Sequence, residues 1–339
     1  MKSTLPRPPL ELLDLATAYQ RAKTLFTLVE FGLPTMLARR SLPFAEVARS
    51  LGLHQVAADR FFNACVALGL LKRVDGELRN TALAEQFLVK NKPTYLGDFL
   101  LKYDQTSYPL WNNLSQRLRE WQPAGAIDDA MPEQLDQGEE GMRARHNFSL
   151  LVGNALGEAY DFSEHRMLLD IGGGTGATSI ALCEMYEKLK AVIFDLPEIT
   201  QTARDYVAAS RASQRVEVCA GDFKEDSLPN GFDVALLADL LSVASEETNR
   251  ALLRRIYEQL PEGGAIIISG WILDDGRTSP LIPVLFCLED INWQAPDVER
   301  SASTYEGWLA EAGFVEIEHK MYCPPNSMII GRKPSKSST

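Results

Sequence analysis

No stretch of the 339-residue chain stays apolar for the roughly 20 residues that a membrane span needs. No leader with a charged start and an apolar core opens it. Histidine is scarce: only His54, His146, His165 and His319 carry an imidazole. Cysteine is scarce too. Cys65, Cys183, Cys219, Cys287 and Cys323 are odd in number and lack metal-ligand spacing. That pattern excludes a disulfide framework and a thiolate metal centre, and it fits a reducing cytoplasm. Positive charge is in deficit. A net charge of −12 argues against binding nucleic acid by phosphate neutralisation, and against adhesion to an anionic membrane. There is no internal repeat, and low complexity is confined to residues 1–9 and 333–339. What remains is 45% hydrophobic, enough for two domains with real cores.

The most informative stretch is Met167-Leu168-Leu169-Asp170-Ile171-Gly172-Gly173-Gly174-Thr175-Gly176. An apolar run enters a glycine cluster, and a helical pattern follows over 177–186. The segment reads as strand, tight turn and helix start. A second apolar run, 191–194, ends at Asp195, 21 residues beyond Gly174. That is close to the roughly 20-residue spacing of an acid that bonds a ribose hydroxyl. The glycines read G-G-G-T-G rather than G-x-G-x-x-G. Asp170, at the strand's end, would repel a pyrophosphate. It suits a cationic ligand instead, and S-adenosylmethionine (SAM) carries a sulfonium and an ammonium but no phosphate. A third strand over 216–219 leads to Gly221-Asp222-Phe223. Asp222 is placed to accept from an adenine amino group and Phe223 to cover the ring. A fourth, over 234–237, runs into Ala238-Asp239. The carboxyl ends of parallel strands are where open α/β sheets bind ligands.

Residues 168–176, Phe194-Asp195-Leu196-Pro197, Gly221-Asp222-Phe223 and Leu260-Pro261-Glu262-Gly263-Gly264 together resemble the SAM-dependent O-methyltransferase family of plant caffeate and bacterial antibiotic enzymes. The resemblance implies an α/β fold: a Rossmann-like SAM-binding catalytic domain behind a mainly helical, winged-helix-like N-terminal dimerisation domain. It implies a homodimer acting on a small molecule, here an aromatic or polyketide-like metabolite. It puts Gly172, Gly173 and Gly174 near the methionine portion of SAM, Asp195 and Leu196 at the ribose, and Asp222 and Phe223 at the adenine. Asp170 and Ala238 complete the expected cofactor set.

The chain also departs from that family, which usually carries a His-Asp pair after the fourth strand, the His deprotonating the substrate. The resemblance puts Ser242 and Val243 at those positions, and Ala238 and Asp239 where a basic residue is usual. A serine hydroxyl cannot act as a general base near neutral pH. Methyl transfer to carbon or nitrogen, driven by positioning, is then as plausible as transfer to oxygen. A replacement base is a second route, and a SAM-binding hydroxylase, decarboxylase or pericyclase a third. The candidate catalytic groups are Ser242 itself, His146 in the helix that the family places over the site, and Glu289. Glu289 and Asp290 follow the apolar run 281–288, and Glu299-Arg300 resemble the family's acid–Arg pair.

Residues 10–39 show apolar positions at helical spacing (Leu12, Leu13, Ala16, Tyr19, Ala22, Phe26, Val29). Helices over 44–53 and 57–70 and a hairpin turning at Asp75-Gly76 make a winged-helix pattern. The acidic charge favours a dimer-forming unit over DNA recognition. The expected division is a dimerisation domain over 1–105, a helical linker and lid over 106–165, and a SAM-binding domain over 166–336. Residues 96–121 carry an aromatic stripe, 122–137 read as a loop, and 138–160 as a bridging helix. Strands are expected at 168–171, 191–194, 216–219, 234–237, 265–271, 316–322 and 327–331.

Overall fold

Strands buried on both faces of a sheet need near-continuous apolar runs. The chain supplies five of them in its second half. The computed structural model describes residues 9–122, 139–293 and 301–335. It divides into two compact units, Met1–Pro109 and Leu110–Thr339.

The first unit is mainly helical. Helix Leu10–Glu30 ends at Gly32, whose left-handed backbone (φ 60°) starts a separate helix, Leu33–Leu37. The single helical pattern over 10–39 is therefore broken, because that conformation suits glycine and cannot continue an α-helix. The expected apolar face splits as well. Phe26, Leu28 and Val29 are buried, whereas Leu12, Leu13 and Tyr19 stay 63%, 60% and 56% exposed. Strands β1 (Leu42–Pro43), β2 (Leu71–Val74) and β3 (Glu77–Asn80) form an antiparallel sheet in the order β1-β3-β2. Asp75 and Gly76, both at positive φ (51° and 80°), make the two-residue turn between β2 and β3. Helices Phe44–Ser50 and Gln55–Ala67 pack on it through Val47, Ala48, Phe62 and Cys65. His54 caps the second of these, its Nδ1 accepting from Val56 N–H at 3.3 Å.

The second unit is built on a seven-stranded sheet. Parallel strands β4 (Met167–Ile171), β5 (Lys190–Asp195), β6 (Val216–Ala220), β7 (Val234–Ala238) and β8 (Ala265–Gly270) are joined by antiparallel β9 (Val315–Cys323) and β10 (Asn326–Arg332). The spatial order is β6-β5-β4-β7-β8-β10-β9. Alternate residues of each central strand face opposite cores. Leu169, Leu237, Ile266 and Ile268 meet helices Glu246–Gln259 and Ala302–Ala312 through Leu252, Leu253, Trp308 and Leu309. Leu168, Leu236 and Ile267 meet Ile180 and Leu182 of helix Ala177–Met185 and Val207 of helix Pro197–Ala209. Each fully buried Leu or Ile contributes roughly 1.5–3 kcal/mol.

The amino ends of β4 and β7 are tied by Asp233. Its carboxylate accepts from Arg166 N–H (2.8 Å) and Met167 N–H (3.2 Å), and His165 Nδ1 lies 3.5 Å away. Burial would raise this carboxyl, but these three donors outweigh it and hold it below its ordinary value. His165 Nε2 in turn bonds Tyr160 Oη at 2.8 Å. This histidine is structural, and it sits at the edge of the sheet away from the glycine turn.

Candidate functional site

Chain direction reverses across the sheet at β4: β5 and β6 lie on one side of it, β7 and β8 on the other. Open sheets leave a crevice at the carboxyl side of that point. The glycine turn fills its floor. Gly172, Gly174 and Gly176 adopt φ of 68°, 56° and 74°, where L-residues are strained. Two of them are also closely packed. A Cβ on Gly176 would lie 2.3 Å from Ile193 Cδ1, and one on Gly172 would lie 2.5 Å from Leu240 Cδ1. Gly173 turns its bare Cα toward Asp170, where a Cβ would come within 2.8 Å of the carboxyl carbon. Gly174, by contrast, leaves space on its Cα: a Cβ there would meet only Met142 Sδ, at 3.5 Å.

Two carboxylates flank this turn. Asp195 ends β5; its Oδ2 accepts from Gly174 N–H and its Oδ1 from Leu196 N–H, each at 2.7 Å. Burial raises its carboxyl, and these two N–H groups partly offset that. Each oxygen retains accepting capacity. Asp170 is buried beneath the turn. Its Oδ2 accepts from Ser179 Oγ at 2.7 Å, and its Oδ1 has no partner. Burial pushes this carboxyl up to about 6, and the charge of Asp195 adds to the effect. A buried acceptor left unsatisfied calls for an explanation, and a cationic ligand group on the turn supplies one. The residues therefore fit SAM: backbone without Cβ, an acid for an ammonium and an acid for hydroxyls.

The remaining expected cofactor residues sit on neighbouring strand ends. Asp222 follows β6; its Oδ1 accepts from Lys224 N–H and its own N–H donates to Asp226 Oδ2, both at 2.8 Å. Phe223 packs half-buried on the core, and its carbonyl accepts from Arg255 Nη1 at 2.6 Å. Ala238 closes β7, paired with Ser269 of β8.

The candidate catalytic residues lie on three different elements, each engaged by a different partner. His146 is on helix Glu139–Ala159 and is buried. Its Nδ1 is 2.7 Å from Thr175 Oγ1 of the glycine turn, and its ring stacks on Tyr206 at 3.5 Å between centroids. Burial lowers its pKa to about 4, so it is neutral at physiological pH. Ser242 lies in the short turn Leu241–Val243, where its hydroxyl donates to the Asp239 carbonyl at 3.3 Å. Glu289 is buried on helix Leu281–Trp293, its Oε2 accepting from Trp111 Nε1 at 3.4 Å. Glu299 and Arg300, and most of the loop expected over 122–137, lie outside the described residues.

One residue at this edge stood out in the sequence only as lying where the resemblance expects a basic residue. Asp239, directly after β7, is a non-glycine residue at φ 54°. Its carboxylate accepts from Trp271 N–H, at the end of β8, and feels the charge of Arg145. Its only sequence signal is an acid at the end of a buried strand. Among the described residues no His/Cys/Asp/Glu group has metal-holding geometry, and no helix is long and apolar enough to cross a membrane.

Comparison with known proteins agrees with this geometry. Residues 129–315 match the O-methyltransferase domain and residues 13–90 the O-methyltransferase dimerisation domain. The chain is 32% identical to 3-hydroxy-5-methyl-1-naphthoate 3-O-methyltransferase of Streptomyces sahachiroi, over 96% of this chain and 95% of the relative. It is 30% identical to the tetracenomycin polyketide synthesis 8-O-methyl transferase TcmO of Streptomyces glaucescens, over 97% and 98%. It superposes on the crystal structure of human N-acetylserotonin methyltransferase in complex with SAM with a TM-score of 0.83 at 28% identity, covering 99% and 100% of the two chains. The chain belongs to the O-methyltransferase family, as a SAM-dependent methyltransferase with a Rossmann-like catalytic domain and an N-terminal dimerisation domain.

Proposed function

We propose that the protein, as a homodimer, methylates a hydroxyl group of a small aromatic, polyketide-like metabolite. The observation that carries the cofactor half is the pair of acids on either side of the glycine turn: Asp195 with accepting capacity to spare and Asp170 with Oδ1 unpartnered. The acceptor half is supported by the two Streptomyces relatives, whose names specify oxygen methylation of a naphthoate and of a tetracenomycin polyketide. Those names shift the balance from carbon or nitrogen toward oxygen.

When bound, SAM supplies a methyl group on a positively charged sulfur. Gly172, Gly173 and Gly174 let its methionine portion lie against bare main chain. Asp170 would attract its ammonium, Asp195 would accept from the ribose hydroxyls and Asp222 from the adenine amino group. Leu196, Phe223 and the backbone of Ala238 would line the nucleoside. His146, neutral and held by Thr175 and Tyr206, braces the turn rather than exchanging protons. Glu289 lies in the acceptor wall, and Ser242 serves its own turn. Holding the acceptor oxygen in line with the methyl carbon at near-contact distance removes up to about 7–11 kcal/mol of barrier in favourable cases.

Two measurements test this. Asp195→Ala should weaken binding of S-adenosylhomocysteine (SAH) at least tenfold by calorimetry; unchanged affinity removes the ribose assignment. Incubation of the wild type with methyl-labelled SAM and a panel of hydroxynaphthoates should yield labelled ether and SAH. Consumption of the aromatic without SAH release would instead indicate a non-methylating enzyme.

A further inference from the structure

The carboxyl edge of β7 carries an acid that the cofactor does not use. Asp239 holds a left-handed backbone (φ 54°) that an aspartate adopts at a cost. The residue is exposed as a whole, although protein atoms crowd its carboxyl. The next residue, Leu240, packs its Cδ1 against the Cα of Gly172, so Asp239 stands beside the glycine turn. Gly270 makes room for it: a Cβ there would lie 2.5 Å from Asp239 Oδ1. The N–H of Trp271 donates to the carboxylate and orients it. Two titratable or charged side chains face it from neighbouring elements. Arg145 comes from helix Glu139–Ala159. Tyr322 comes from β9, its hydroxyl 2.8 Å from Ser269 Oγ. A strained, oriented acid at the ligand edge of a sheet is how proteins place a reacting group.

We infer that Asp239 is the catalytic residue that takes the acceptor's proton. This rests on the reading above that the acceptor is a hydroxyl. The hydroxyl oxygen forms the new C–O bond as the C–S bond of SAM breaks and its electron pair stays on sulfur. The hydroxyl proton passes to a carboxylate oxygen of Asp239 and then to solvent. Nothing is oxidised or reduced. Burial raises the carboxyl, moving its proton affinity toward working pH, while Arg145 favours the ionised, accepting form. Burial pushes the Tyr322 hydroxyl well above its ordinary range, so it stays neutral throughout.

The experiment compares wild type, Asp239→Asn and Asp239→Glu with 2-naphthol as acceptor, SAH calorimetry serving as the folding control. Asp239→Asn should lower kcat by roughly 10²–10⁴ at pH 7.5 and abolish the acid limb of its pH profile, while Asp239→Glu restores part of both. A second readout needs no turnover. Binding of 2-naphthol to the SAH complex, followed by naphthol fluorescence, should weaken in the wild type as acidification protonates Asp239. It should be independent of pH in Asp239→Asn. If Asp239→Asn loses SAH binding, Gly270→Ala displaces the carboxylate without removing it and should show the same loss of kcat. Wild-type-like kcat and an unchanged acid limb in either variant overturn the inference and leave the methylation reading standing. Labelling of amine or carbon acceptors by the wild type, with no hydroxyl acceptor labelled, overturns both.

Discussion

Replacing Asp170 by Asn should stabilise the ligand-free protein while crippling its hold on the cofactor. Carrying a buried carboxyl from its ordinary 3.8 to about 6 corresponds to about 3 kcal/mol against the ionised form in the fold. The cause is burial, with one oxygen satisfied by Ser179 and the other by nothing. A raised carboxyl is protonated in both states below pH 4, so the penalty is absent there. It grows as pH climbs from 4 to 6 and is complete above that. An asparagine keeps an oxygen for Ser179 and carries no charge. Its amide N–H groups, left without a partner, take back about 1–2 kcal/mol. The net gain at pH 8 is about 1–2 kcal/mol, or roughly 2–8 °C in Tm for a unit of this size. Thermal melts of wild type and Asp170→Asn at pH 4, 6 and 8, with and without SAH, would show it. The apo variant should melt higher at pH 8 and lower than the wild type at pH 4, where only the amide cost remains, and saturating SAH should reverse the order at pH 8. A Tm difference independent of pH, or a less stable apo variant at pH 8, would refute the desolvation argument.

His146 works in the opposite direction. Because burial holds it near 4 against an ordinary 6.5, its neutral form stabilises the fold above pH 6.5, and up to about 3 kcal/mol is lost as pH falls from 6.5 to 4. His146→Phe keeps the stack on Tyr206 and should flatten the acid limb of a urea-stability profile; parallel limbs would contradict this. Two glycine substitutions should differ in sign. Gly176→Ala forces a Cβ to 2.3 Å from Ile193 at φ 74°, so it should cost about 1–3 kcal/mol and weaken SAH binding tenfold or more. Gly307→Ala, mid-helix with nothing within 4 Å, should gain about 0.5–1 kcal/mol in the same denaturation assay.

The strands were legible because their physics is local. Val234–Ala238 and the isoleucines at 266–268 are apolar at consecutive positions, which a doubly covered strand requires. The break at Gly32 was not legible, since the apolar spacing carries through it while the backbone does not. The cofactor acids could be located at strand ends, but the orphaned oxygen of Asp170 is a property of its surroundings. His146 looked available because Thr175 and Tyr206 approach it only in three dimensions. Asp239 was hidden for the same reason: its orientation comes from Trp271 and Gly270 on the next strand, and its charge environment from a distant helix.

The sheet's two margins are built on opposite principles. At the amino margin Asp233 is fully occupied, stitching β4 to β7 with two backbone donors and an imidazole. At the carboxyl margin, roughly 15 Å up the same strands, Asp170 keeps one oxygen without a partner. Sites that far apart respond nearly independently to substitution. The lower seam can therefore keep the scaffold intact while residues along the upper rim drift, so lineages can retool the acceptor chemistry without first having to rescue the fold.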